Sequence, residues 1–365
     1  MNLQTDVCIV GGGPAGALLG YLLAEKGIST IVVERTSGND REFRGEHINA
    51  ETEAILKEHH LFDKIEALGL LKMKKVEYLY DRTIVKSITP TVDDHVGIHI
   101  PQPHILTAIS NEADQFPNYQ LLLNTTVTGL VQDEKGNYTG VKSKQNGQEI
   151  NISSQVVVGT DGRYSTVRRL AGIAATEETH GYDVLWAKIP APADWEPSTK
   201  MVLVNGHQLA LFTQTGGMIQ IGWNIEEGTF PSIRKQPLKP FLEPLLTSFP
   251  ELEPIVHEHI QSWKNFVCLK VFSSNAETWV KDGLVILGDA AHTMTPTAAI
   301  GINCAIKDAY VLAPILEKAL LDGDVSEARL KEFEIARRAE IEQQQEMQFK
   351  KEESFKDNFL EVVGY

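Results

Sequence analysis

Three glycines, Gly11, Gly13 and Gly16, stand in a G-x-G-x-x-G spacing directly after the apolar run Val7-Cys8-Ile9-Val10. In that spacing the first glycine allows a tight turn and the second lets backbone approach a pyrophosphate. The third lets a helix pack on a strand. The helix that follows offers unpaired N–H groups and partial positive charge to phosphate oxygens. Ala15 lies inside the turn, an apolar stretch continues to Ala24, and Gly27 is placed to end the helix. A second apolar run, Ile31-Val32-Val33, closes on Glu34 and Arg35. Glu34, 18 residues after Gly16, is placed to accept hydrogen bonds from a ribose diol. Strand, glycine turn, helix and strand within about 30 residues form a dinucleotide-binding βαβ unit.

Two further segments repeat the theme of an apolar strand ending in a glycine–acid turn. Val156-Val157-Val158-Gly159 leads into Asp161-Gly162 and then Ser165 to Arg168, a basic helix start. Leu284 to Leu287 leads into Gly288-Asp289-Ala290-Ala291-His292, followed by Pro296 and by Gly301-Ile302-Asn303 opening a helix. One such turn is punctuation; three in one chain point to a shared ligand. His47 is a possible acid–base group. Trp223, in a sheet-like segment, could stack on an aromatic substrate, although an aromatic on a sheet face is more often core. Cys8, Cys268 and Cys304 are scattered without a C-x-x-C pair, and the remaining histidines lack metal-ligand spacing. Neither a disulfide framework nor a metal site is expected, and the cysteines fit a reducing, cytoplasmic compartment.

These residues need a scaffold, and 365 residues suffice for roughly two domains. Residues 51–71 read as an amphipathic helix, 74–100 as strands, and His104 to Ala113 as a helix. Strands follow within 119–131, 138–143 and 150–158, with a hairpin turn at Asp133 to Asn137. Short strands at Val184–Ile189, Lys200–Val204, Leu209–Thr213 and Met218–Trp223, broken by a helix at 237–248, form a second sheet. Asn303–Leu321 reads as a helix. Asp324 starts a long polar helix whose far end, around Gln343-Gln344-Gln345, is weakly patterned and expected to pack loosely. The net charge of −15 excludes a generally basic nucleic-acid binder. No apolar run reaches the ~18–20 residues of a membrane span.

The combination of motifs resembles the class A flavoprotein monooxygenases, aromatic hydroxylases related to p-hydroxybenzoate hydroxylase and the tetracycline-inactivating enzymes. The resemblance covers about residues 5–340. It implies an α/β fold: a Rossmann-like FAD-binding domain (1–73, 101–180, 273–322), an inserted mixed β-sheet substrate domain (74–100, 181–272) and a C-terminal helical tail (323–365). It implies that Gly11, Gly13, Ala15 and Gly16 hold the FAD pyrophosphate, with Glu34 and neighbouring Arg35 at the adenosine ribose. Arg44 matches an arginine near the phosphate and ribityl chain, Gln102 a cofactor-touching position, and Val127 a strand residue whose backbone meets adenine. Asp161 and Gly162 match an element linked to both FAD and NAD(P)H, and Gly288-Asp289 the turn whose aspartate binds ribityl. Pro296, Gly301, Ile302 and Asn303 match the loop and helix start facing the isoalloxazine ring. The chain departs from the family where Ala299-Ile300 replaces Gly-Gln, which places an apolar Ile300 beside the assumed ring position.

The implied activity is NADH- or NADPH-driven hydroxylation of an aromatic or polycyclic small molecule by O2, through a flavin hydroperoxide on non-covalent FAD. A flavin-dependent reductase of the geranylgeranyl-reductase kind shares the fold and is the alternative. A halogenase is disfavoured because W-x-W-x-I-P is absent, and a flavin-binding sensor is the non-enzymatic alternative.

Overall fold

The computed structural model describes residues 1–37, 46–91, 95–357 and 359. Its central layer is a six-stranded sheet in the order Val280–Lys281, Leu284–Ile286, Val156–Gly159, Val7–Val10, Thr30–Val33, Tyr119–Leu122. All neighbours pair in parallel except the Val280–Lys281 edge. Val7–Val10, Thr30–Val33 and Val156–Gly159 are buried along their whole length, as expected of parallel strands covered on both faces. Because the three glycine–acid turns follow adjacent strands of this sheet, they emerge along one edge of it.

The helix Pro14–Glu25 begins with proline at its first turn, where a missing N–H costs nothing, and buries Ala15 to Ala24. It packs against Gln102–Ala113 and Gly301–Asp322. By length and composition, Thr297–Asp322 is apolar enough to cross a membrane; in this fold half of it is buried by neighbouring elements. The helix expected over 51–71 is two helices, Ala50–Glu58 and Phe62–Leu68. Between them His60 takes a left-handed conformation.

The second large sheet has eight strands, ordered His292–Thr293, Val267–Ala276, Ala175–Pro190, Met218–Glu226, His207–Gln214, Ser198–Val204, Lys75–Tyr80, Thr83–Ile88. It is mixed, since Ser198–Val204 pairs in parallel with Lys75–Tyr80. Helices Leu238–Ser248 and Glu253–His259 cover one face and bury Leu185, Ile189, Leu211 and Ile221. Strands Ala175–Pro190 and Val267–Ala276 run through residues 180 and 272, where the sequence suggests domain junctions.

The C-terminal helix spans Glu327–Asp357. Its far end does not pack loosely, contrary to the sequence reading. Gln348 is fully buried. Gln345 Nε2 donates to the carbonyls of Ser274 and Thr293, and Gln348 Nε2 to those of Thr295 and Thr297. A polar residue that satisfies buried backbone carbonyls packs firmly without any apolar pattern.

Candidate active site

The glycine turn is sterically enforced. Gly11 sits at φ +112°, and a Cβ there would stand 2.5 Å from the Thr160 carbonyl oxygen. A Cβ on Gly16 would stand 2.0 Å from the Gly11 carbonyl oxygen. Gly13 precedes the helix without a side-chain cap, and the first helical turn carries no acidic residue, so its field stays positive. Glu34 is buried and braces the turn: Oε2 accepts from Gly12 N–H at 2.8 Å and Oε1 from Thr36 N–H at 2.8 Å.

In the second turn, Asp161 Oδ2 accepts from the N–H groups of Thr166 and Val167 at 2.6 and 3.0 Å, and Oδ1 from the Ser165 hydroxyl. The carboxylate thereby holds the start of helix Thr166–Leu170. Burial pushes its pKa up, while those hydrogen bonds pull in the opposite direction. In the third turn, Gly288 adopts φ +58° and its N–H donates to Asp308 Oδ2 at 3.0 Å. The same oxygen lies 2.6 Å from His292 Nε2, and Asp308 Oδ1 accepts from Arg337 Nε at 2.8 Å. Burial raises the Asp308 pKa, but His292 and Arg337 outweigh it and hold the carboxyl below its ordinary range. His292 thus braces the turn that presents Asp289.

Between Met294 and Gly301 the chain forms a loop on which two alanines, Ala298 and Ala299, adopt left-handed φ of 60° and 53°. Such a conformation costs a non-glycine residue roughly 1–2 kcal/mol. The family's glycine at position 299 has a physical reason, and here alanine carries the strain. Ile300, expected beside the ring, packs instead against the central core, because it directly precedes the helix and turns inward with it. Asn303 spends its amide on the protein: Oδ1 accepts from Asn49 N–H, and Nδ2 donates to the carbonyls of His47 and Ala299.

One cavity of about 700 Å³ joins these turns to the eight-stranded sheet. Of the residues singled out from sequence, Gly11, Gly13, Ala15, Glu34, Arg35, His47, Gln102, Val127, Asp161, Gly162, Gly288, Asp289, Pro296, Gly301 and Ile302 line it. Gly16 and Asn303 lie just behind that wall and shape it. Arg44 lies outside the described residues.

Trp223, offered from the sequence as a possible substrate-stacking residue, is instead core, the commoner place for an aromatic on a sheet face. It is 2% exposed, and its ring lies 5.8 Å from that of Phe241 and 5.3 Å from that of Phe266, on the helix-covered face. Strand register explains this, since Trp223 is paired with Leu185 and shares its face. The tryptophan that reaches the cavity is Trp186, one residue on, whose ring lies 6.0 Å from that of Phe212. Its pairing partner is Gly222, where a Cβ would meet the indole at 2.6 Å.

The sequence reading also missed a polar cluster on the cavity wall. Glu46 Oε2 lies 3.0 Å from His99 Nε2 and accepts from Gln214 Nε2 at 3.2 Å, while Gln214 Nε2 also donates to Gln220 Oε1 at 2.7 Å. Thr215 N–H donates to His99 Nδ1, so the neutral ring carries its proton on Nε2 and donates it to Glu46. Gln214 and Gln220 are polar interruptions in apolar strands, a signal available in the sequence. His47 lies near this cluster, its ring against the backbone of Gly97. Burial, then the neighbouring His99 and His95, lowers its pKa to about 4. Among the described residues, no group of three His, Cys, Asp or Glu side chains is placed to hold a metal.

The cradle fits a dinucleotide: a glycine turn that Cβ atoms would fill, a bare helix N-terminus and an acidic strand end. The family model described as FAD binding domain matches residues 4–348. The chain belongs to this FAD-binding family. It is 32% identical over 352 residues to 6-methylpretetramide 4-monooxygenase of Streptomyces rimosus, covering 93% of this chain and 81% of that one. Digeranylgeranylglycerophospholipid reductase of Methanosarcina acetivorans is 25% identical over 334 residues, covering 90% and 78%. In fold this flavoprotein resembles PqsL, a probable FAD-dependent monooxygenase from Pseudomonas aeruginosa. That match has TM-score 0.84 and 20% identity and covers 99% of both chains.

Proposed function

We propose that this flavoprotein monooxygenase consumes NADH or NADPH and O2 to hydroxylate an aromatic or polycyclic small molecule. The observation that carries the reading is the continuity of one cavity. The dinucleotide cradle lies at one end and Trp186, Phe212, Gln214 and Gln220 at the other. FAD, when bound, supplies the redox and oxygen chemistry.

The chain's own residues bind, orient and exclude water. Gly11, Gly13 and Ala15 receive the pyrophosphate on the helix N-terminus, and Glu34, already ordered by Gly12 and Thr36, faces the ribose. The backbone opening helix Gly301–Asp322 directs N–H dipoles towards the cavity, where they stabilise negative charge. Trp186 and Phe212, packed against each other, present one aromatic wall to a planar substrate and keep its surroundings dry. Gln220 accepts from Gln214 through Oε1, which leaves Nε2 as the donor for a carbonyl or hydroxyl oxygen of that substrate.

The test is to screen phenols and polyketides for stimulated NAD(P)H oxidation, then to follow isotopically labelled O2 into product. Labelled product supports the reading. A reduced product without label would establish the reductase alternative.

A further inference from the structure

One face of the C-terminal helix grips the loop that carries the two left-handed alanines. Gln348 Oε1 accepts from Thr295 N–H at 3.3 Å, and its Nε2 donates to the Thr295 and Thr297 carbonyls at 2.9 and 2.6 Å. Four residues on, Glu352 Oε1 accepts from the hydroxyls of Thr295 at 2.6 Å, Thr297 at 2.5 Å and Tyr182 at 3.0 Å. Glu352 Oε2 lies 2.6 Å from His180 Nδ1, and His180 Nε2 lies 2.9 Å from the Ser273 hydroxyl. Glu352 therefore joins the loop to the eight-stranded sheet, while Gln348 ties the loop to the helix. Thr295, Pro296 and Ala299 of the same loop line the cavity.

A turn built from alanines in the left-handed region relaxes unless its surroundings over-determine it. The other bonds holding the loop are few: within it, Thr297 N–H to the Thr295 hydroxyl and Ala299 N–H to the Pro296 carbonyl, and from the following helix the Asn303 amide to the Ala299 carbonyl. The larger set comes from the C-terminal helix. We propose that Gln348 and Glu352 are positioning residues: they splint the Thr295–Ala299 loop so that its strained turn holds the cavity wall in place. The C-terminal helix thereby sets how well solvent is kept from the reacting centre. This rests on the monooxygenase reading for its effect on coupling, but not for its effect on the loop.

The first measurement uses apoprotein. In Gln348→Ala, exchange of the Thr295 amide should accelerate about tenfold, while amides in the middle of Gly301–Asp322 change little. The second uses holoenzyme. Glu352→Ala should keep FAD bound, shift its visible spectrum, and raise hydrogen peroxide formed per NAD(P)H several-fold. Glu352→Gln, which keeps an acceptor oxygen for the threonine hydroxyls, should restore both. If Glu352→Ala does not fold, Thr295→Val with Thr297→Val removes the same bonds from the loop side. Unchanged exchange at Thr295 overturns the splint outright. A lower melting temperature with wild-type spectrum and coupling would reduce these residues to plain stability. Labelled oxygen missing from product in the wild type, with exchange accelerated as expected, would sink the monooxygenase reading and leave the splint standing.

Discussion

Trp186 and Trp223 provide a matched pair for testing the cavity assignment, because adjacent strands place them on opposite faces of one sheet. Trp223 is 2% exposed and packed between Phe241 and Phe266, with no hydrogen-bond partner for its indole N–H among the described residues. Trp223→Ala should cost about 3–5 kcal/mol of stability, the range for emptying a buried aromatic site. Trp223→Phe should be much milder, since it removes an unsatisfied donor along with the lost volume. Trp186 has Phe212 beside it and the cavity before it. A flanking aromatic contact contributes about 0.5–1.5 kcal/mol, so Trp186→Ala should weaken substrate binding about 2- to 13-fold on that ground alone. The assay is urea unfolding of each variant beside substrate titration at fixed FAD. A Trp223 variant that stays stable but loses substrate affinity, or a Trp186→Ala variant with wild-type affinity, would refute the face assignment.

Glu34→Ala should weaken FAD about 10- to 150-fold but FMN little, because FMN lacks the adenosine ribose; fluorescence titration of both flavins checks it. The same variant should loosen the apoprotein, since Gly12 N–H and Thr36 lose their acceptor. His47, with a folded pKa of about 4 against an ordinary 6.5, is held neutral. Its contribution is therefore full above pH 6.5 and is lost as pH falls towards 4, by at most about 3 kcal/mol. His47→Gln should flatten that acid limb in urea melts taken across the range. Asp308→Asn removes the buried carboxylate shared by Arg337 and His292 and leaves Arg337 only the half-buried Glu340, so it should cost up to about 3–5 kcal/mol, read by chemical denaturation. A loss below about 1 kcal/mol would contradict a buried charged pair.

The cofactor cradle is legible in the sequence because glycine reports backbone conformation directly. Gly11 and Gly16 are required by contacts of 2.5 and 2.0 Å that any side chain would make. The fully apolar strands Val7–Val10 and Val156–Gly159 are legible for a similar reason, since burial on both faces leaves no register to guess. The substrate end is harder to read. There one residue of register exchanges cavity for core, and which of Trp186 and Trp223 faces inward depends on their cross-strand partners, Gly222 and Leu185. Parity holds a partial answer: Trp223 continues the apolar series Ile219, Ile221, while Gln220 and Gly222 alternate with it on the other face. The C-terminal helix fails differently. Apolar periodicity registers only contacts made by apolar groups, whereas Gln345 bonds the strand carbonyls of Ser274 and Thr293, and Gln348 and Glu352 bond a loop about 50 residues away in sequence. A polar helix with little apolar patterning is therefore not a loosely held one when the surface it meets is a strained loop with open carbonyls and hydroxyls. Thr295 and Thr297, beside the Ala298–Ala299 turn, form that surface here.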